Sequence, residues 1–322
     1  MHTFPKPKVV VSRCLGFEKC RYDGSVINDP TVPLLEPHVD YITVCPEKEI
    51  GLGVPRSPVR LVQENQHKRL FQPATGSDVT QKMESFIDQF LEGLDEVDGF
   101  ILKHRSPSCG LSNVKIYYGF EEKVNHFRGK GMFGEAVLRS HGSLPVEDEG
   151  RLRNFSIREH FLTRLFTMAS FREFKKKPSM KGLVDFHTNN KLLFMAFNQE
   201  TMRELGRITA NPEKQPIEQV IGSYEVLMRK MLASMPRFTA WINMLHHAFG
   251  YISEGLEKDE KELFLNSIEE YRDERIPLST LIKLLKSYAL RFNEEYLLRQ
   301  TFLNPFPLDL VKITDSGQGR KL

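Results

Sequence analysis

Three short β-branched runs within the first hundred or so positions, each closely followed by a cysteine, constrain this chain more than any other feature of it. Lys8–Ser12 (KVVVS) stops just before Cys14, and residues 41–44 (YITV) run directly into Cys45. Residues 97–103 (VDGFILK) lead into the loop 105–110 that carries Cys109. Short continuous apolar runs of this kind read as strands buried on both faces. Between the second and third lies 78–94, apolar at Met83, Phe86, Ile87, Phe90, Leu91 and Leu94, the spacing of an amphipathic helix with Ser77 or Asp78 as N-cap. Strands alternating with helices predict an α/β domain built on a doubly wound, mostly parallel sheet. Ligands gather at the carboxyl ends of the strands in such sheets, so the three cysteines are expected along one edge.

The pattern changes across 141–154 (HGSLPVEDEGRLRN), which is small, charged and without periodicity. It divides the chain into residues 1–145, the α/β domain, and residues 146–322, an all-α bundle. Helical spacing recurs over 155–176, 182–197, 201–208, 217–235, 238–256, 260–271 and 278–299, with Pro212, Pro216, Pro236 and Pro277 near the breaks. The tail from Pro305 reads as mobile, and no internal repeat is visible. Charge divides in the same place. Residues 1–150 hold 18 Lys+Arg against 21 Asp+Glu, whereas 151–250 hold 16 against 8, a net of +8. A near-neutral module joined to a basic one suits catalysis joined to polyanion binding, and a solvated basic face is the alternative.

With 40% apolar residues and 23 Phe, disorder is excluded as the main state. No run approaches the roughly 18 apolar residues of a membrane helix, so no membrane association is expected. The opening MHTFPKPKVVVSRC has only a three-residue apolar run before Ser12-Arg13, so no secretory signal is expected and the cytoplasm is the expected compartment. Structural disulfides are not expected there. Cys14, Cys20, Cys45 and Cys109 therefore point to metal binding or catalysis.

Three of these cysteines sit in peptides of one kind: Ser12-Arg13-Cys14-Leu15-Gly16, Val44-Cys45-Pro46-Glu47 and Ser106-Pro107-Ser108-Cys109-Gly110. The nearby glycine or proline lets the backbone turn closely around something bulky. Separations of 31 and 64 residues (45 minus 14, 109 minus 45) are unlike the tight pairs of zinc ribbons. They suit one ligand from each of three strand ends, and three thiolates on a four-iron cluster leave one iron open. On spacing alone, small buried hydrophobes are the commoner reading of scattered cysteines.

The segments VVVSRCLG, CRYDG, VCPEKEIGLGVPRSPVRL and ILKHRSPSCG, with the trailing GKGMFGEAVL, resemble the thiouracil desulfidase (TudS) family over roughly residues 8–140. From GSLPVEDEGRLRN through LVDFHTNNKLLFMAFNQETMRELGRI, the chain resembles the helical domain that tRNA 4-thiouridine desulfidases carry fused to such a domain. The resemblance implies a [4Fe-4S] cluster held by Cys14, Cys45 and Cys109. Family members often carry valine where Cys20 stands, so Cys20 falls outside the implied ligand set. Arg13 departs from the family's usual Ser-Ala-Cys-Leu without removing the ligand.

In that setting an open iron would bind the soft sulfur of a thiocarbonyl while water attacks the adjacent carbon. Glu47 is placed to activate the water or move a proton, provided burial beside the anionic cluster raises its pKa; as a helix-start residue after Pro46 it has a plainer reading. Ser106 and Ser108 are candidates to bond the base or the cluster sulfurs, or alternatively to cap a turn. Asp23, in Arg21-Tyr22-Asp23-Gly24, is a candidate pocket residue and equally a turn former. Arg56 and Arg60 read either as a phosphate clamp or as ion-pair partners of Glu47 and Glu49. His104 reads as structural.

The second half carries the basic residues Arg151, Arg153, Arg158, Arg164, Arg172, Lys175, Lys176, Lys177 and Lys191, with His187, Asn189 and Asn190 just before the last. Such density suits neutralisation of an RNA backbone. The interspersed Phe161, Phe171, Phe174 and Phe186 read as core. Taken with these features, the resemblance implies an enzyme that takes sulfur from thiolated uridine, 4-thiouridine in tRNA, releasing sulfide with no net electron transfer. Its partner is tRNA, and the sulfide acceptor and oligomeric state are left open. Two alternatives remain. One is a desulfidase of free thiouracil-type bases; the other is a non-enzymatic iron–sulfur protein that binds RNA or senses redox state.

Overall fold

A computed structural model describes residues 3–65, 67–121 and 124–311. In chain order the first part contains β1 (Lys8–Ser12), α1 (Thr31–Leu35), β2 (Asp40–Val44), α2 (Pro46–Glu49), β3 (Arg60–Glu64), β4 (His67–Gln72), β5 (Ser77–Asp78) and α3 (Thr80–Glu92). It continues with β6 (Gly99–Leu102), β7 (Val114–Tyr117), β8 (His126–Gly129), α4 (Met132–His141) and β9 (Val146–Asp148). The helices that follow are α5 (Phe155–Lys175), α6 (Met180–Phe197), α7 (Gln199–Ala210), α8 (Ile217–Leu232), α9 (Phe238–Gly250), α10 (Lys258–Arg272), α11 (Leu278–Arg291) and α12 (Glu295–Leu298).

The expected parallel sheet is present as four strands in the order β2-β1-β6-β9, every pair parallel. Its centre is apolar: Val9, Val10 and Val11 of β1 and Phe100, Ile101 and Leu102 of β6 have no exposed surface. Burial on both faces is what a covered parallel sheet requires. Ser12 stands beside Val44, and Leu102 beside Asp148, so each of these neighbouring pairs ends in step. A second sheet, unexpected from the sequence, has the mixed order β5-β4-β3-β7-β8. Its strands are short and half-exposed, and only β3 and β7 pair in parallel.

The expected boundary between residues 145 and 146 is corrected. Val146–Asp148 is the fourth strand of the parallel sheet, paired with Phe100, Ile101 and Leu102, so a cut there would strip an edge strand from its neighbour. Three residues framed by proline and acidic side chains are too short for periodicity to reveal. The compact units are instead residues 1–169 with 307–322, and residues 170–306, a division that falls inside α5. The tail is anchored at its start, since Phe306 and Leu310 are buried. Residues 312–322 lie outside the described residues.

The second unit is helical, as expected, and its apolar faces meet in a core that includes Phe171, Phe194, Tyr224, Leu245, Phe264 and Leu285. No helix among the described residues is long and apolar enough to cross a membrane. His187 on α6 is buried in this core with its Nδ1 3.1 Å from the Tyr224 hydroxyl. Burial, followed by the charge of Lys191, pushes its pKa down to about 4. The unfolded chain takes up a proton near pH 6.5 that the folded chain refuses. Stability is therefore full above that pH and falls as pH drops from about 6.5 to about 4, by roughly 3 kcal/mol at most. Urea denaturation should show this slope, and a His187→Gln variant should lack it; an identical pH dependence in the variant would contradict the assignment.

Candidate active site

All four strands of the parallel sheet deliver side chains beyond their carboxyl ends. Cys14 follows β1, Cys45 follows β2, the loop carrying Cys109 follows β6, and Asp148 closes β9 with Glu149 after it. Cys14, Cys45 and Cys109 line one cavity of about 470 Å³, joined by Glu47, Lys103, His104 and Ser106. No cysteine is in a disulfide. The convergence expected from the sequence is present.

Cys20 lies in the same wall, which the sequence reading had left outside. Its thiol bonds with those of Cys14 and Cys45, and its carbonyl accepts from the Cys45 thiol at 3.8 Å. The bond to Cys14, with burial, pushes the Cys20 thiol up to about 11. The bond to Cys20, with burial and the charge of Glu47, raises Cys45 well above the ordinary thiol range. Burial pushes Cys109 up to about 12, against hydrogen bonds with Ser12 and Ser106. The folded chain alone thus opposes thiolates. Cationic iron would reverse that balance, because a coordinating thiol is deprotonated by its metal. Among the described residues no three His, Cys, Asp or Glu side chains form a site for a single metal ion. Thiols spread around one cavity suit a polynuclear group that takes one at each corner.

Glu47 sits in the first turn of α2 with both oxygens engaged. Oε2 accepts from Arg56 Nη2 at 2.6 Å and Nε at 3.1 Å, and Oε1 accepts from the Ser108 hydroxyl at 2.8 Å. Their side chains are only 6% (Arg56) and 13% (Glu47) exposed. Of the two readings of Arg56, the ion pair is the one realised. Arg60 instead donates to the carbonyls of Phe120 and Glu121 and packs on the Tyr117 ring, away from the cavity. Ser108 is fully buried below the cavity wall, while Ser106 accepts from the N–H groups of Ser108 and Cys109 at 3.2 and 3.1 Å and so caps the ligand loop. Asp23 is an exposed turn residue outside the cavity wall. Its carboxylate accepts from the Ser25 hydroxyl and backbone N–H at 2.6 and 3.0 Å, which lowers its pKa.

Two glycines of GKGMFGEAVL hold α4 against the Cys109 loop. A Cβ at Gly131 would fall 2.5 Å from the Ser108 carbonyl oxygen, and one at Gly134 would fall 2.6 Å from that of Cys109. The close approach lets the N–H groups of Gly131, Met132 and Gly134 satisfy the carbonyls of Gly110, Pro107 and Ser108. Partners at the end of the neighbouring strand β9 hold the cavity-lining Lys103 and His104. His104 Nδ1 lies 3.0 Å from Oδ2 of the fully buried Asp148, and Glu149 accepts from the His104 N–H at 2.7 Å and pairs with Lys103. Neither acid was read as a site residue. Their signal, two carboxylates beside a β-branched residue in a polar stretch, is indistinguishable in sequence from a linker.

The expected RNA contacts separate into exposed and interior residues. Arg153, Lys177 and Lys191 are exposed, and so are Arg151 and Lys176, which pair with Glu147 and Glu173. Arg158 is 5% exposed and donates to the carbonyls of Leu152 and Arg153, and Arg172 is also buried. Arg164 is half-buried against the Ser143 carbonyl, burial bringing its pKa down to about 10, and Lys175 pairs with Glu225. All four lie on α5 at positions the helix turns away from full solvent exposure.

The fold and its cavity define an α/β module that gathers thiols and proton-carrying side chains at the carboxyl edge of a parallel sheet. Residues 9–149 match the family model described as 2-thiouracil desulfurase, and residues 191–307 match one described as a protein of unknown function, DUF1722. The uncharacterized protein YbbK of Bacillus subtilis is 31% identical over 136 residues, covering 40% of this chain and 85% of its own length. The uncharacterized protein YbgA of Escherichia coli is 24% identical over 158 residues, 48% of this chain and 93% of its own length. A solved structure named as a [4Fe-4S]-dependent thiouracil desulfidase, TudS, is 31% identical and covers 46% of this chain and 93% of that one, with a TM-score of 0.36. Through its α/β domain the chain belongs to the 2-thiouracil desulfurase family.

Removing Arg56 alone would strand a buried carboxylate. Arg56→Met is expected to destabilise the α/β domain by about 3 kcal/mol or more, and adding Glu47→Leu should recover most of that loss. Chemical denaturation checks both; a loss below about 1 kcal/mol would mean the pair is open to solvent.

Proposed function

We propose that the chain is a [4Fe-4S]-dependent desulfidase that converts thiolated uridine, 4-thiouridine in tRNA, to uridine. The observation that carries this reading is the meeting of Cys14, Cys45 and Cys109 with Glu47 around one cavity, within a segment that belongs to the desulfurase family. The name of the TudS structure supports the cofactor. The overall change is hydrolytic: a C=S group and water give C=O and hydrogen sulfide, with no electrons supplied or removed.

Cys14, Cys45 and Cys109 would hold the cluster, whose remaining iron supplies, when bound, a Lewis acid for thiocarbonyl sulfur. Glu47 handles the proton. A carboxylate offers about four acceptor positions, and three are taken by Arg56 and Ser108. The position left over accepts from the attacking water, takes its proton, and returns one to the departing sulfur. Arg56 and Ser108 fix the carboxylate in place. Ser106 holds the loop of Cys109, so its contribution is to position the ligand.

The basic helical part supports tRNA as the substrate. Arg153, Lys177 and Lys191 offer exposed charge for phosphates, and a target base would be turned out of its stack to enter the cavity. The cytoplasm is the proposed site of action.

Two measurements test this. Anaerobically reconstituted protein should release sulfide from thiolated tRNA; release from free 4-thiouracil only would favour a free-base enzyme, and tRNA binding without release would favour a non-enzymatic sensor. Separately, Cys14→Ala, Cys45→Ala and Cys109→Ala should each lose the brown cluster absorbance, whereas Cys20→Ala should keep it. Retention of a full cluster spectrum in any of the first three would overturn the ligand set.

A further inference from the structure

Each turnover of the reaction proposed above moves two protons from one water oxygen to the departing sulfur. Glu47 has about one acceptor position left beside Arg56 and Ser108, so it carries one proton at a time. The other stays on the new carbon-bound hydroxyl until the C–S bond breaks, and a second carrier has to meet it. His104 lines the same cavity as Glu47. Its ring is held from one side: Nδ1 lies 3.0 Å from Oδ2 of Asp148, whose side chain is fully buried. The other ring nitrogen, Nε2, has no hydrogen-bond partner among the described residues.

The ring is not needed as a fastening between the strand ends. The Glu149 carboxylate already accepts from the His104 N–H at 2.7 Å and pairs with Lys103, and Leu102 stands beside Asp148 in the sheet. Asp148 Oδ1 accepts from the Arg151 N–H at 2.8 Å, but the Arg151 guanidinium pairs with Glu147. No lysine or arginine side chain among the described residues hydrogen-bonds to Asp148. A buried carboxylate is costly without such a partner. Set against an imidazole, it orients the ring and stabilises the positive charge the ring gains on taking a proton.

We propose that His104 is the second proton carrier of this cavity and that Asp148 is its positioning residue. Nε2 takes the hydroxyl proton as the C=O bond forms and gives it to sulfur as the C–S bond breaks. The O–H electron pair becomes the second C–O bond, and the C–S pair leaves with sulfur, so no oxidant or reductant is needed. The inference rests on the desulfidase reading and adds two residues to its chemistry.

The test is steady-state sulfide release from thiolated tRNA by the anaerobically reconstituted full chain. His104→Asn keeps a donor for Asp148 but carries no proton, so kcat should fall roughly 100-fold or more, with KM and cluster absorbance unchanged. His104→Ala should fall as far and recover part of the loss when free imidazole is added. Asp148→Asn keeps the ring but mixes its tautomers, so turnover should slow without responding to imidazole. The nitrogen-15 NMR spectrum of the ring is independent of turnover, the His104 signals being those that vanish in His104→Asn. The neutral ring should carry its proton on Nδ1 with Nε2 bare, and Asp148→Asn should populate both forms. A proton found on Nε2, near-wild-type kcat in His104→Asn, or a His104→Ala loss that imidazole leaves untouched overturns the assignment. Sulfide release by the unaltered chain would then keep the desulfidase reading standing. No sulfide release from the unaltered chain would remove that reading, and the proton-carrier role with it.

Discussion

The parallel pairing of β1 with β2 and β6 is the constraint on which everything else rests. Its three valines have no exposed surface, so apolar burial sets the register, and the bonds from the Lys8 N–H to Asp98 and from the Lys103 N–H to the Ser12 hydroxyl fix its two ends. Slipping one strand by a single residue would turn its side chains to the opposite face. Because the register holds, neighbouring strands end in step, and Cys14, Cys45 and Cys109 are brought from widely separated positions to one rim. β9 adds Asp148 and Glu149 to the same rim.

Around that rim most polar groups have an assigned partner: Glu47 pairs with Arg56, Lys103 with Glu149, and the His104 ring contacts Asp148. Buried ion pairs of this kind contribute little net stability, and their use here is to hold groups at fixed positions. The thiols are the exception. Burial and mutual contact raise the pKa values of Cys20, Cys45 and Cys109, so the folded chain alone disfavours their charged forms. A cationic inorganic group of the kind proposed would offset that, and the hydrogen bonds of Ser12 and Ser106 already favour the charged form of Cys109.

Much of this was legible in the sequence. The strand Lys8–Ser12, those around residues 41–44 and 97–103, the helix that became α3, and all the long helices after residue 155 followed from periodicity. The second sheet did not. β4 and β8 are half-exposed strands of six and four residues whose polar composition imitates loops, and the sheet is joined across a long separation only where β3 pairs with β7. Side-chain pairing was equally hidden. His104 and Asp148 are 44 positions apart, and nothing local links them. Cys20 stands outside the ligand set that the family resemblance implies, whereas backbone bonds from Leu15 to Ser12, Glu18 to Arg13 and Cys20 to Glu18 turn the chain so that its thiol meets those of Cys14 and Cys45. The basic stretch misled in part, because charge counts ignore which face of a helix a residue occupies; Arg158 and Arg172 are interior.

The central claim is that three strand ends share one inorganic group and leave part of it open. Mössbauer spectroscopy of protein reconstituted anaerobically with iron-57 tests this most directly. The account predicts a four-iron cluster in which one iron is distinct from the other three, with its parameters shifting when 4-thiouridine is added. A two-iron spectrum, or four irons indifferent to the thio-base, would contradict it.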